Sequence, residues 1–356
     1  MWMPERILVI IPSPECGGAE RQTMQVARGM ARMGAEVSVM ADPSILPGLT
    51  PLAEAVTLHA APIAFDAGIE ASAMQARQFH GSAPLLAVLR ADAALICLGL
   101  PNEGAGAMQA LDGVGIPMLA MAHLVRRDGV MGETDRAALR GLRASWASVS
   151  VPASRRLEAL LGLSPGAVAT VPNGLPPAAM VPRMMRRGRP ILLSIGRLDV
   201  RKGAALAPAL AHALIAAINP ARLRMAGRGP LAEALSGIPG LELLGQMEDV
   251  PALLAEADAF LLASDHEGCP LSVLEAAAAG CPILATAAAL EAWPEPTSFA
   301  RLVLRDASHI AAVFAESLRD TEGTAARVAK ARQMAAAWDE AAMIRRTTFI
   351  LAAACA

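Results

Sequence analysis

The sequence predicts an α/β protein built from two doubly wound, Rossmann-like domains. Short, continuously apolar runs recur along it and read as buried parallel strands. Helical stretches separate these runs, the alternation that produces a parallel sheet covered by helices. And 356 residues are too many for one ordinary core but suffice for two domains of about 150–180 residues, each able to bury roughly 70 % of its unfolded surface.

The first run, R-I-L-V-I-I-P at 6–12, ends at a proline. After a loop at 13–18 comes an amphipathic helix, 19–33, stopped by Gly34, and then a strand at 36–40. The strand signal repeats at 91–98, 116–122 and 145–151, with helices at 133–143 and 153–161. Together these make a first domain, 1–175. The stretch 176–189 is rich in Pro, Met and Arg, has no period, and reads as a linker. The alternation then restarts: strand 191–195, helix 204–218, strand 222–226, helix 231–236, strand 241–244, helix 250–256, strand 259–262, helix 271–279, strand 283–285. That is a second domain, 190–338. The tail is helical by composition, and its last helix, about 339–356, is expected to pack back on the first domain. The two domains are expected to face each other across a cleft, the usual place for a ligand.

Composition excludes several function classes. Hydrophobic residues make up 54 % and charged residues 18 %, so the chain is not disordered. Its hydropathy comes largely from alanine, and no window holds the roughly 18 uninterrupted apolar residues of a membrane span. A net charge of −2, no tyrosine and few other aromatics argue against a nucleic-acid partner. Five scattered cysteines without a C-x-x-C pair give neither a zinc site nor a disulfide framework. The apolar run at 7–11 is too short for a signal peptide, so a cytoplasmic location is expected.

Four motifs carry chemistry. S-I-G-R-L-D-V-R-K-G at 194–203 sets Arg197 and Lys202 at a strand mouth, where two cations suit a diphosphate. A pair of solvated surface charges is the plain alternative. A-G-R-G-P at 226–230 brings glycines, Gly229 among them, to the next strand end, which suits a ligand close to the backbone or an ordinary turn. S-D-H-E-G-C-P-L-S-V-L-E at 264–275 sets Glu267 in a loop, Pro270 at a helix start and Glu275 inside that helix. The helix start offers N–H groups to an anion, and the two carboxylates can accept hydrogen bonds from sugar hydroxyls. C-G-G-A-E-R at 16–21 joins the first strand to its helix, where Gly17 and Gly18 allow a tight turn and the helix start can hold phosphate.

In this order these pieces resemble the retaining glycosyltransferases of the family 4 type, which have the GT-B fold. G-G-A-E-R, V-P-N-G at 171–174, S-I-G-R-L-x-x-x-K-G and E-G-x-P-L-x-x-L-E-A carry the resemblance, which runs from Ile7 to about Thr286. Glu267 and Glu275, seven residues between them, match the family's E-X7-E motif. The resemblance implies a nucleotide-diphosphate-sugar donor, UDP-sugar favoured over GDP-sugar, with no cofactor and no metal; no D-x-D triplet occurs. Arg197 and Lys202 would neutralise the diphosphate, and Glu275 would bind the ribose hydroxyls. Glu267 would bind the donor sugar as a catalytic residue, helped by the backbone of Gly268, Cys269, Pro270 and Leu271. Gly17 and Gly18 would lie against the diphosphate. His123, at the end of the strand 116–122, would act near the donor sugar; a strand-end polar residue is the alternative. The acceptor would be a glycan or a lipid-linked molecule, in bacterial polysaccharide or glycolipid synthesis.

The chain departs from the family after the strand 283–285. The usual Thr-Asp, glycine pair and Glu are replaced by T-A-A-A-L-E-A-W at 286–293, which keeps Thr286 and Glu291. The lost glycine pair motivates a second reading, a catalytically degenerate partner subunit; a sugar-nucleotide epimerase of the same fold is a third. A nicotinamide oxidoreductase would need G-x-G-x-x-G after the first strand, where P-S-P-E-C-G-G stands, and G-A-G-A-M-Q at 104–109 follows a later strand. Arg126, Arg127, Arg140, Arg143, Arg155 and Arg156, with Arg183, Arg186, Arg187 and Arg189 of the linker, suit a peripheral contact with anionic membrane at its inner face. Scattered solvated charge explains them too, and both readings stand.

Overall fold

The computed structural model describes residues 3–176, 188–247 and 249–355. Most of the expected linker, 177–187, with Arg183, Arg186 and Arg187, lies outside the described residues. The chain divides into two compact units: unit 1 is Met1–Gly174 with Glu340–Ala356, and unit 2 is Leu175–Asp339.

Unit 1 runs β1 (Arg6–Ile11), α1 (Gly18–Arg32), β2 (Glu36–Ala41), a single turn α2 (Leu46–Leu49), β3 (Thr57–Ala60), α3 (Ala71–Leu89), β4 (Ala93–Leu98), α4 (Ala105–Gly113), β5 (Met118–Ala122), α5 (Glu133–Arg140), β6 (Ala144–Ser148), α6 (Val151–Leu161) and β7 (Val168–Thr170). The strands form one seven-stranded parallel sheet in the order β3-β2-β1-β4-β5-β6-β7, so the winding reverses between β1 and β4. These two central strands are covered on both faces: β1 is buried from Ile7 to Ile11 and β4 at every position. That is why they are continuously apolar and do not alternate.

Helices α3 and α4 had no counterpart in the sequence reading. Gly81 and Pro84 lie inside α3 and argue locally against a helix. Gly106 of α4 packs so tightly on α3 that a Cβ there would stand 2.0 Å from the Gln75 carbonyl oxygen. The glycine in the G-A-G-A-M-Q segment therefore serves helix packing.

Unit 2 runs β8 (Ile191–Ile195), α7 (Ala207–Ala217), β9 (Arg222–Ala226), β10 (Leu241–Gly245), α8 (Val250–Glu256), β11 (Ala259–Leu262), α9 (Leu271–Ala279), β12 (Ile283–Ala285), β13 (Arg301–Leu302), α10 (Ala307–Arg319) and α11 (Thr321–Ala336). Its six strands form a parallel sheet in the order β10-β9-β8-β11-β12-β13, reversing between β8 and β11. Leu192, Leu261 and Leu284 from neighbouring strands meet Leu210, Leu214 and Phe314 from α7 and α10 in its core.

The helix expected at 231–236 is a series of turns instead. The Leu231 N–H is used by the Leu198 carbonyl at 3.0 Å, and Leu235 is drawn into the core. Six residues are too few to sustain a regular helix, since nucleation is costly and most of their N–H groups would lack an intrahelical partner. The tail forms two helices, α11 and then α12 (Glu340–Ala354). The second belongs to unit 1, where Ile344 fills the space beside Gly29 of α1; a Cβ there would meet its Cδ1 at 2.5 Å. Among the described residues no helix is long and apolar enough to cross a membrane.

Candidate active site

In an open parallel sheet, ligands bind outside the carboxyl ends of the strands where the winding reverses. In unit 2 the loops at that point are 196–203, after β8, and 263–270, after β11. They touch backbone to backbone: Gly203 has φ +84° and a Cβ on it would lie 2.7 Å from the Ala263 carbonyl oxygen. Only glycine fits there, and this close approach sets Lys202 beside Glu267. Lys202 Nζ donates to Glu267 Oε1 at 2.5 Å. Arg201 Nη1 lies 3.8 Å from the same oxygen and donates to the His266 carbonyl at 3.0 Å. Glu267 is only 6 % exposed. Burial pushes its carboxyl up, but the Lys202 and Arg201 cations outweigh burial and hold it below the ordinary carboxylate value.

Asp199 organises the first loop. One of its oxygens accepts from the Lys202 N–H at 2.8 Å, and the other lies 3.3 Å from Arg197 Nε. Arg197 remains 43 % exposed at the rim. In the second loop Gly268, Cys269 and Pro270 are buried. Pro270 sits at the N-cap of α9, one residue before the first helical turn in which the sequence reading put it, and Leu271 is the first helical residue. Glu275 is half-buried on α9, a helix that buries Val273, Leu274, Ala276 and Ala277. Arg197, Lys202, Glu267 and the start of α9 thus share one rim.

Gly229 serves the protein's own backbone. A Cβ on it would come within 2.4 Å of the Leu198 carbonyl oxygen, and one on Gly227, at φ +140°, within 1.9 Å of the Gly196 oxygen. Beyond the last paired residues of β8 and β9 the two chains stay in contact, with Leu198 N–H donating to the Arg228 carbonyl at 2.8 Å.

In unit 1 the winding reverses between β1 and β4. Gly17 is the N-cap of α1 and Gly18 its first residue. The Gly17 N–H donates to Glu20 Oε2 at 2.7 Å, while Glu20 Oε1 accepts from Ser13 Oγ at 2.5 Å. Glu20 thus covers an N–H that the sequence reading offered to a phosphate. After β4, Glu103 lies over Gly99. Burial pushes the Glu103 carboxyl up to about 7; hydrogen bonds from the Leu100 and Gly99 N–H groups oppose the rise and the charge of Glu20 adds to it. His123 follows β5, 8 % exposed, with Nε2 3.5 Å from Thr23 Oγ1 of α1. Burial lowers its pKa to about 4, so the ring is neutral at pH 7.

The sequence reading did not single out Glu20, Glu103, Arg201 or His266. The first stood in the quoted G-G-A-E-R, and Arg201 and His266 in motifs read for their neighbours. Glu103 had only one signal, its place just beyond a strand run. Of the arginines weighed for a membrane surface, several serve unit 1 itself. Arg126 pairs with Asp128, Arg143 with Asp112 and Arg155 with Glu158, while Arg140 and Arg156 donate to the Leu161 and Val125 carbonyls.

Residues 189–320 match the family model for glycosyl transferases group 1. No curated protein sequence matches the chain. Among solved structures it is similar to HepE of Anabaena in complex with UDP and glucose, with a TM-score of 0.76 and 17 % identity over 98 % of this chain and 100 % of that one. WaaG, a glycosyltransferase involved in lipopolysaccharide biosynthesis, gives a TM-score of 0.75 and 17 % identity over 97 % and 99 %. Sucrose-phosphate synthase from Thermosynechococcus elongatus gives 0.74 and 17 % over 96 % and 97 %. At these identities the likeness establishes the fold.

Proposed function

We propose that this chain, whose residues 189–320 match the group 1 glycosyltransferase model and which has the GT-B fold, is a retaining glycosyltransferase that moves a sugar from a nucleotide-diphosphate sugar to a glycan or lipid-linked acceptor. The observation that carries the proposal is the unit 2 rim, where Arg197, Lys202, Arg201 and Glu267 converge beside the start of α9. Cations and helix N–H groups suit a diphosphate, and carboxylates suit the hydroxyls of ribose and sugar. A UDP-sugar is favoured: HepE was solved with UDP and with UDP-glucose. A glycan or lipid-linked acceptor is supported by WaaG and by the lipopolysaccharide outer core galactosyltransferase WaaB, TM-score 0.65 and 14 % identity.

In this reading Arg197 and Lys202 hold the diphosphate, Glu275 the ribose, and Glu267 the donor sugar with the backbone at 268–271. As the glycosidic bond breaks, charge grows on the departing diphosphate, and preorganised cations stabilise it most at that moment. Retention follows from acceptor attack on the face the diphosphate leaves, with a phosphate oxygen taking the acceptor proton, so no side-chain nucleophile is assigned. Gly18 is assigned to the diphosphate and His123 to the donor sugar by the motifs they stand in; the Gly17 N–H, taken by Glu20, is not assigned to the diphosphate. A neutral imidazole offers one donor and one acceptor to hydroxyls without adding charge.

A thermal-shift panel of UDP, GDP, ADP and NAD tests the proposal, with donor-sugar hydrolysis alongside. A ligand at 100 times its Kd adds about 2.7 kcal/mol, and at about 2–4 °C per kcal/mol the shift is easily read. UDP should shift the melt, NAD should not, and UDP-sugar should be hydrolysed slowly. No response to any nucleoside diphosphate would overturn the proposal. A shift without hydrolysis would point to a degenerate subunit.

A further inference from the structure

The loop that carries Glu267 is held at successive residues by other elements of unit 2. The Ser264 carbonyl accepts from Thr286 Oγ1 at 2.5 Å, and the Asp265 N–H donates to the Arg201 carbonyl at 3.0 Å. The Asp265 carboxylate lies 3.6 Å from Arg305, which also donates to the Val200 carbonyl at 2.6 Å. The His266 carbonyl accepts from Arg201, and the His266 ring points the other way: its Nδ1 lies 3.6 Å from Glu291 Oε1, both side chains 9 % exposed.

Glu291 comes from the turn where the family's glycine pair is missing. That turn is well made without glycine. Thr286 Oγ1 accepts from the Ala289 N–H at 3.2 Å while donating to Ser264, so one hydroxyl ties the turn to the Glu267 loop. Ala289 and Leu290 are 1 % and 0 % exposed, and Trp293 stacks edge-on against Phe299. With Leu290 and Trp293 buried on either side of it, Glu291 reaches the one imidazole adjacent in sequence to Glu267. A carboxylate this buried is costly unless it faces a polar partner.

We infer that Glu291 is a positioning residue, which through the His266 ring holds the loop that aims Glu267 at the donor sugar. Because it acts through the loop of Glu267, it acts on the sugar end of the donor and not on the diphosphate, which the proposed function gives to Arg197 and Lys202. The inference deepens the proposed function and rests on it for the catalytic readout, but the bracing of the loop can be read without substrate.

The test compares wild type, Glu291→Ala, Glu291→Gln, His266→Asn and the double variant His266→Asn/Glu291→Ala. Without ligand, hydrogen exchange of the amides at 264–270 should quicken by about tenfold in Glu291→Ala and much less in Glu291→Gln, whose amide oxygen still faces the ring. With UDP-sugar, Glu291→Ala should lose about tenfold or more in kcat, a loss typical of a misplaced reacting group, while UDP affinity stays within about twofold. The double variant should lose no more than the worse single one. Should Glu291→Ala fail to fold, Glu291→Met keeps the volume and removes the acceptor. Unchanged exchange and kcat would overturn the inference. So would UDP affinity falling as far as kcat, or additive losses in the double variant. If wild type neither binds UDP nor hydrolyses donor, the proposed function fails, and the exchange data still decide whether Glu291 holds the loop.

Discussion

The two reversal points of the two sheets handle buried charge in opposite ways. At the unit 2 rim, Glu267 is as buried as a core residue yet stays ionised, because Lys202 and Arg201 share its oxygen. At the unit 1 rim, no cation lies within ion-pair reach of Glu103 among the described residues, and burial pushes its carboxyl up to about 7. His123 in the same unit is pushed the other way, to about 4, and is neutral. One rim keeps its buried carboxylate charged by pairing it, and the other leaves its buried groups unpaired, so that burial drives each toward its neutral form. The first suits a ligand that carries charge, the second one that offers hydroxyls, as the sugar of a donor does beside His123.

The comparison can be broken first through the backbone that builds the unit 2 rim. Gly229→Ala forces a Cβ against the Leu198 carbonyl, and a loss of about 3 kcal/mol is expected in thermal denaturation, near the top of the range for overpacking. An unchanged melt with lost UDP affinity would instead make Gly229 a ligand position.

Lys202→Met comes next. It leaves Glu267 with Arg201 at 3.8 Å as its remaining cation, and a urea titration at neutral pH should show about 3 kcal/mol of destabilisation. Adding Glu267→Gln should return most of it. If it does not, the pair is not what holds this rim.

Unit 1 should answer to pH. Glu103 has a folded pKa raised to about 7 from 4.5, so its stability contribution is complete below pH 4.5 and is lost as pH rises through 7. Glu103→Gln should therefore match wild type near pH 4.5 and exceed it by up to about 3 kcal/mol at pH 8. His123 has the reverse sign: its contribution is present above pH 6.5 and is lost as pH falls to about 4. His123→Gln should remove up to about 3 kcal/mol of acid destabilisation in that window. Melts of either variant that parallel wild type at every pH would end the contrast between the rims.

Arg197→Ala should have the smallest effect on stability, within about 0.5 kcal/mol, since the side chain is 43 % exposed and its pairing with Asp199 is a surface one. Its effect on UDP affinity should be about 1.5–3 kcal/mol, roughly 10- to 150-fold. Equal losses in affinity and stability would make it structural.

The strands of unit 2 were read almost residue by residue: 191–195, 222–226 and 259–262 coincide with β8, β9 and β11, and 271–279 with α9. Short apolar runs bounded by Gly, Pro or charge are hard to mistake. What failed were elements whose local preference opposes their structure, such as α3 with Gly81 and Pro84, and short or edge strands such as β3, whose burial is only partial. The segment 231–236 failed the other way, a helical pattern too short to sustain a helix, which forms turns instead. In the site, the motifs and their places at strand ends were legible. The pairing of Lys202 with Glu267, 65 residues apart, was not. Nor was the Gly229 contact with Leu198, since a glycine that admits a ligand and one that admits a carbonyl are the same letter.

By itself, then, the sequence determined the two sheets, the glycines that let the loops meet and the kinds of charge brought to each strand end, because periodicity, turn geometry and capping are properties of a few adjacent residues. The tertiary structure alone decided which of those charges persist. Whether a carboxyl is ionised depends on how much water it has lost and on which cation stands beside it, and here both are set by residues from distant parts of the chain.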